Sequence, residues 1–103
     1  MSDLESLTRD YRTGFLRYLF QRSEAAMATG YELGRRAATG AASLLDLVQV
    51  HHQVLAEVLA QQPPPDATEV TAAAGEYLSE VLSTFDMAHR ALHDPAPEPP
   101  VAG

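Results

Sequence analysis

Along the chain, apolar residues recur at steps of three, four and seven rather than two. That is the period an α-helix needs to gather one apolar face. Sustained alternation, Asn-Gly or Asp-Gly turns and β-branched runs are missing, so strands are not expected. Four periodic stretches stand between breaks. The first spans Asp3 to Arg22, with Ser2 or Asp3 as cap and Leu4, Leu7, Tyr11, Phe15, Tyr18 and Leu19 as one stripe. Ser23 caps the second, where Met27, Tyr31, Gly34 and Ala38 line up beside Ala26, Gly30, Leu33 and Ala37. Gly40 suits a left-handed position past its last turn. The third starts near Ser43, and Ser43-Leu44-Leu45-Asp46 resembles a capping box with Asp in the usual Glu place. Leu44, Leu47, Val48, His51, Val54, Leu55 and Val58 mark its expected buried face, and Pro63-Pro64-Pro65 stops it. The fourth runs from Ala67 to His93 under Asp66 or Thr68 as cap. Its stripe is Val70, Ala74, Tyr77, Val81, Phe85, Ala88 and Leu92, widened by Leu78 and Leu82.

This pattern predicts an all-α fold, an antiparallel four-helix bundle with short connections, formed by residues 1–94. Residues 95–103 are proline-rich and read as a linker or disordered tail. The fourth helix would extend roughly 40 Å, while a globule of this size has a radius of gyration near ~13 Å. The first and last helices are therefore expected to outreach a compact monomer, which points to a partner along them. Gly30 and Gly34 each cost about 1 kcal/mol of helix propensity relative to alanine. Close approach of a neighbouring helix is the simplest offset.

Composition narrows the function. Seven arginines and no lysine stand against 14 acids, for a net charge of −7. That balance argues against nucleic acid and against an anionic membrane surface as partners. Without cysteine there is no disulfide frame, thiolate zinc site or cysteine nucleophile. No apolar run approaches the roughly 20 residues of a membrane span. The opening MSDLESLTRDYR has acids and no apolar signal core, so the cytoplasm is the expected compartment. Lys, Ile and Asn are absent together while Ala and Arg are plentiful, which suggests a GC-rich source genome.

Candidate chemistry is sparse. His89 and His93 are spaced to share a metal on one helix face, yet a helix C-terminus also favours histidine there. His51 falls on an apolar stripe and is expected to be a core or half-buried histidine, hydrogen-bonded to a neighbouring helix, with His52 exposed. Ser23, Ser43, Ser79 and Ser83 read as caps or small surface residues, and Glu76 with Glu80 as a solvated face. There is no nucleophile elbow, phosphate loop or inward Glu-x-x-His motif. No catalytic, cofactor-binding or metal residue is therefore assigned, and the chain is not expected to be an enzyme. Arg35-Arg36 suit a helix C-terminus, and Glu32 is spaced to pair with Arg36; docking is their second reading.

Three stretches, YRTGFLRYLFQRSEAAMATGYELGRRAATG, SLLDLVQVHHQVLAEVLA and EYLSEVLSTFDMAHRAL, resemble the N-terminal domain of RsbU-type phosphatases over about residues 8–93. The best pieces are Tyr11 with Arg17-Tyr18, Gly34-Arg35-Arg36, His51 and Phe85-Asp86-Met87-Ala88-His89. The resemblance implies a dimeric helical bundle similar to that of the circadian protein KaiA. It also implies recruitment of an RsbT-type switch kinase, which activates a PP2C-like phosphatase domain further along the chain in sigma-factor partner switching. The family's docking face lies on the second and fourth helices; here it would comprise Ala28, Glu32, Arg35, Arg36, Ser79 and Ser83. Ala28, Ser79 and Ser83 stand where better-known members carry larger apolar or aromatic side chains. Leu4, Leu7, Tyr11, Phe15, Tyr18, His51, Tyr77, Val81 and Phe85 would supply core and homodimer contacts. The expectation is a non-catalytic regulatory and dimerisation domain. The alternatives are a signal-transmitting bundle of a sensor histidine kinase and a stand-alone adaptor, with a small metal- or ligand-binding bundle as a third.

Overall fold

The computed structural model describes residues 3–40 and 42–93. Four helices account for them: α1 Asp3–Phe20, α2 Glu24–Thr39, α3 Leu44–Leu59 and α4 Ala67–His93. The fold is all-α, and no strand occurs among the described residues. Ser2, the alternative first cap, and the 95–103 tail lie outside them.

Local chemistry sets the helix ends. Ser23 has extended backbone, and its Oγ accepts from the Ala26 N–H at 3.1 Å. α1 therefore ends at Phe20, two residues before the expected Arg22. Both arms of the Ser43–Asp46 capping box form, at 2.9 and 3.1 Å. Asp66 rather than Thr68 caps α4, accepting from the Thr68 and Glu69 N–H groups at 2.9 and 3.2 Å. Gly40 corrects an expectation: its φ is −95°, extended rather than left-handed. Its N–H already closes the last turn onto the Arg36 carbonyl at 3.0 Å, so the chain leaves α2 without a left-handed residue.

α2 packs most extensively against α4, while α1 touches all three other helices. The closeness of α2 to α4 rests on the two glycines. A Cβ at Gly34 would collide with the Val81 carbonyl and meet Phe85 N at 3.0 Å; one at Gly30 would meet the Tyr77 ring at 3.2 Å. The expected close approach is present, and its register shows α2 and α4 running the same way. Gly14 of α1 has the same role, since a Cβ there would collide with the Tyr77 hydroxyl.

Tyr77 is the hub of the core. It is fully buried, with the rings of Tyr11, Tyr18 and Phe15 at 5.3, 6.0 and 6.1 Å. Its hydroxyl and the Thr29 hydroxyl are 2.9 Å apart. Phe15, Leu33, Leu47, Val50, Val54, Val58, Val70, Val81 and Phe85 share the interior with it, together with several buried alanines.

Five expected burials do not occur, the first at Leu4 of α1, which is exposed. Leu44 and Val48 are exposed, and Val50 is buried in their place, because α3 presents Leu47, Val50, Val54 and Val58 to the core. Tyr31 and Leu92 are also exposed. With Gly34 level with Thr84 in a parallel pairing, α2 ends before α4 reaches Leu92.

Two polar expectations change as well. Glu76 is no free solvated acid, for it accepts from Tyr18 at 2.6 Å and from Arg22 at 2.8 Å. Arg36 pairs with Asp10 of α1 at 3.1 Å rather than with Glu32 of its own helix. The longer reach ties α2 to α1. No helix among the described residues is long and apolar enough to cross a membrane.

Candidate docking surface

Where α1 and α2 run side by side they leave a groove of about 480 Å³. One wall comes from Arg9, Thr13 and Arg17 at steps of four on α1, the other from Ala25, Ala28, Glu32 and Arg36 on α2. Asp10, Gly14, Thr29 and Leu33 form the rest of the lining. The floor is small because Gly14 leaves room for the Tyr77 hydroxyl beneath it.

Charge gives the groove its character. Asp10 lies between Arg9 at 3.5 Å and Arg36 at 3.1 Å, with both guanidinium side chains mostly exposed. Arg17 forms no ion pair among the described residues. Three arginines against Asp10 and Glu32 leave an excess of positive charge in a chain that is acidic overall.

The groove gathers Ala28, Glu32 and Arg36. Arg35 is exposed on α2 outside its lining, and Ser79 and Ser83 are exposed on α4 away from it. Of the residues read as core or dimer contacts, Tyr11, Phe15, Tyr18, Tyr77, Val81 and Phe85 are buried within the chain itself. Leu7 packs partly against them, and Leu4 is exposed. Sequence reasoning missed Arg9, Asp10 and Thr29, and singled out Arg17 only as carrying the resemblance. The available signal was Arg9-x-x-x-Thr13-x-x-x-Arg17, a polar line beside the α1 stripe with a helix-weakening glycine next to it.

His51 is half-buried, as expected, and ties α3 to α1: the Tyr11 hydroxyl and His51 Nδ1 are 2.9 Å apart. Burial, with the neighbouring His52 adding to it, holds the His51 pKa below the ordinary histidine value. Burial also pushes the Tyr11 and Tyr77 phenols up. Because folded His51 binds its proton less readily than unfolded His51, its stabilising contribution is complete above the unfolded pKa of about 6.5. It is lost as pH falls from there through the lowered folded value. The thermal midpoint is therefore expected to fall on mild acidification, and His51→Gln, which can still accept from Tyr11, to flatten that slope. An unchanged slope would remove His51 as its source.

Among the described residues no three His, Asp or Glu side chains gather as metal ligands. The His89 ring stacks on Phe85, with centroids 5.4 Å apart and planes 20° from parallel.

The family described as phosphoserine phosphatase RsbU, N-terminal domain, matches residues 9–88. The chain belongs to this family. No curated protein and no solved structure shows a significant match. The matched span of the RsbU N-terminal domain starts at Arg9, the first groove residue, and ends at Ala88 in α4. It therefore takes in the groove, the Tyr77 hub and the α2–α4 glycine contact. An RsbU N-terminal domain is a regulatory, non-catalytic part of RsbU-type phosphatases, in keeping with the small all-helical chain seen here.

Proposed function

We propose that this RsbU N-terminal domain is a cytoplasmic regulatory and dimerisation module, an antiparallel four-helix bundle that does no chemistry of its own. Residues 1–94 form the module and 95–103 its linker. It receives an RsbT-type switch kinase, or another signalling protein, on the α1–α2 groove and the exposed side of α4. It then activates a C-terminal effector in stress-response partner switching. The observation that carries this reading is the groove itself, which collects Ala28, Glu32 and Arg36 under an excess of arginine. Arginine is enriched among residues that dominate interfaces.

The packing supplies a route from docking to effector. α2 rests on α4 through Gly34, backbone against backbone, so no long side chain is available there to absorb a shift of α2. A partner that prefers one placement of α2 moves the population of α4 placements with it. α4 is the last helix among the described residues, so the change is delivered at its C-terminal end.

Titrating an RsbT-type kinase into the domain by calorimetry tests the docking face. Arg17→Glu, at an exposed residue with no ion pair to lose, is expected to weaken binding about tenfold, which is ~1.4 kcal/mol. Equal affinity of the variant and the parent would remove the groove from the docking face.

A further inference from the structure

An unclaimed feature of the described surface lies on α3. Exposed apolar residues number two on α1 (Leu4, Phe20), one on α2 (Tyr31) and two on α4 (Met87, Leu92), none adjacent to another, whereas Leu44, Leu45, Val48 and Leu59 are all exposed on α3. Single exposed apolar residues need no explanation, but a grouped set does. The surplus was expected on the long first and last helices. Their stripes are instead largely consumed by the core around Tyr77.

The grouping has a period. Leu45, Val48, His52, Leu55 and Leu59 succeed one another at steps of three, four, three and four. That spacing is the a/d seam of a coiled coil. It is separate from the face α3 turns to its own core, which is Leu47, Val50, Val54 and Val58. Leu45 is 63% exposed, Val48 41% and Leu59 37%, and Leu55 is half-buried. α3 thus carries two apolar faces, and the fold covers one of them.

Charge selects the occupant of the other. α3 has no lysine or arginine, and both its acids are engaged off the seam: Asp46 in the capping box, Glu57 with Arg12 at 2.8 Å. The positions flanking the seam, Leu44, Gln49, His51 and Ala56, carry no carboxylate, lysine or arginine. A neutral seam offers nothing to steer a charged partner, whereas an identical seam matches it throughout. His52 adds a register argument. It is the middle one of the five positions, and it meets its own copy when two seams pair parallel in register. A polar residue at one such position sets register at a cost in stability.

We infer that a second copy of this chain packs on the Leu45–Leu59 seam of α3, so that the homodimer is an α3–α3 pairing with His52 at its centre. This rests on the dimeric reading of the proposed function and adds the face on which the dimer forms.

Sedimentation velocity of the full chain across micromolar concentrations tests it. The parent is expected to be a dimer. Leu45→Glu with Val48→Glu is expected to weaken association about 100-fold or more, with helical circular dichroism retained because both side chains are exposed. His52→Leu, which completes the apolar seam, is expected to tighten it. Phe20→Glu, at a residue 82% exposed and off the seam, is expected to leave the dimer unchanged. A parent dimer indifferent to the two glutamates, or one split by Phe20→Glu, overturns the α3 seam while leaving the dimer standing. A monomeric parent overturns the dimer itself.

Discussion

Tyr77→Ala is expected to lower the free energy of unfolding by about 4 kcal/mol, the middle of the range for losing a buried aromatic ring. Small domains are stable by only about 5–15 kcal/mol, so the variant should sit close to its unfolding threshold at room temperature. The size of the effect comes from what the ring joins. Tyr77 belongs to α4, yet it touches three aromatic residues of α1 and lies against Gly14 and Gly30, on α1 and α2. Removing it opens a cavity that several elements would have to close at once. Tyr77→Phe separates the ring from its hydroxyl. It gives up only the bond to Thr29, whose hydroxyl keeps the Ala26 carbonyl at 2.6 Å. No buried partner is left unsatisfied, and the loss should stay near ~1 kcal/mol. Urea unfolding of the parent and the two variants measures both numbers. A Tyr77→Ala loss no larger than that of Tyr77→Phe would mean that the ring does not fill the core.

The helices and their ends were legible in the chain because what decides them is local. A serine oxygen reaching an N–H three residues on, as at Ser23 and Ser43, needs no partner from elsewhere. Neither does a 3.6-residue period. What lies between helices was not legible in the same way. Tyr11, Phe15, Tyr18 and Tyr77 could be assigned to the interior, but not to one cluster around Tyr77. Arg36 has Glu32 four residues away and still pairs with Asp10, because α1 brings that carboxylate within 3.1 Å. The groove shares this origin: each wall is an ordinary polar line on its helix, and only the pairing of α1 with α2 makes it a site. On α3 the difficulty was of another kind. Leu47, Val50, Val54 and Val58 form one apolar line and Leu45, Val48, Leu55 and Leu59 another, so periodicity alone cannot say which faces inward. Contact with α1 and α4 chooses the valine line.

Gly34→Val should cost about 3 kcal/mol, at the upper end of what overpacking usually does. The reason is the identity of the neighbour. A flexible side chain can swing away from an added methyl group, but the Val81 carbonyl belongs to the α4 backbone and moves only if α2 and α4 separate. Propensity acts in the opposite direction. Replacing glycine by alanine within a helix is worth up to about 1 kcal/mol, so the sign of a substitution reports how tightly the position is packed. Gly75 supplies the contrast on α4, since a Cβ there meets nothing within 4 Å. Gly75→Ala is therefore expected to raise stability by about 0.5–1 kcal/mol, whereas Gly34→Ala should lower it despite the same gain in propensity. Thermal unfolding of the three variants decides between them. If both alanines stabilised alike, α2 and α4 would not be in backbone contact, and the proposed route from the groove to the C-terminal helix would lose its rigid link.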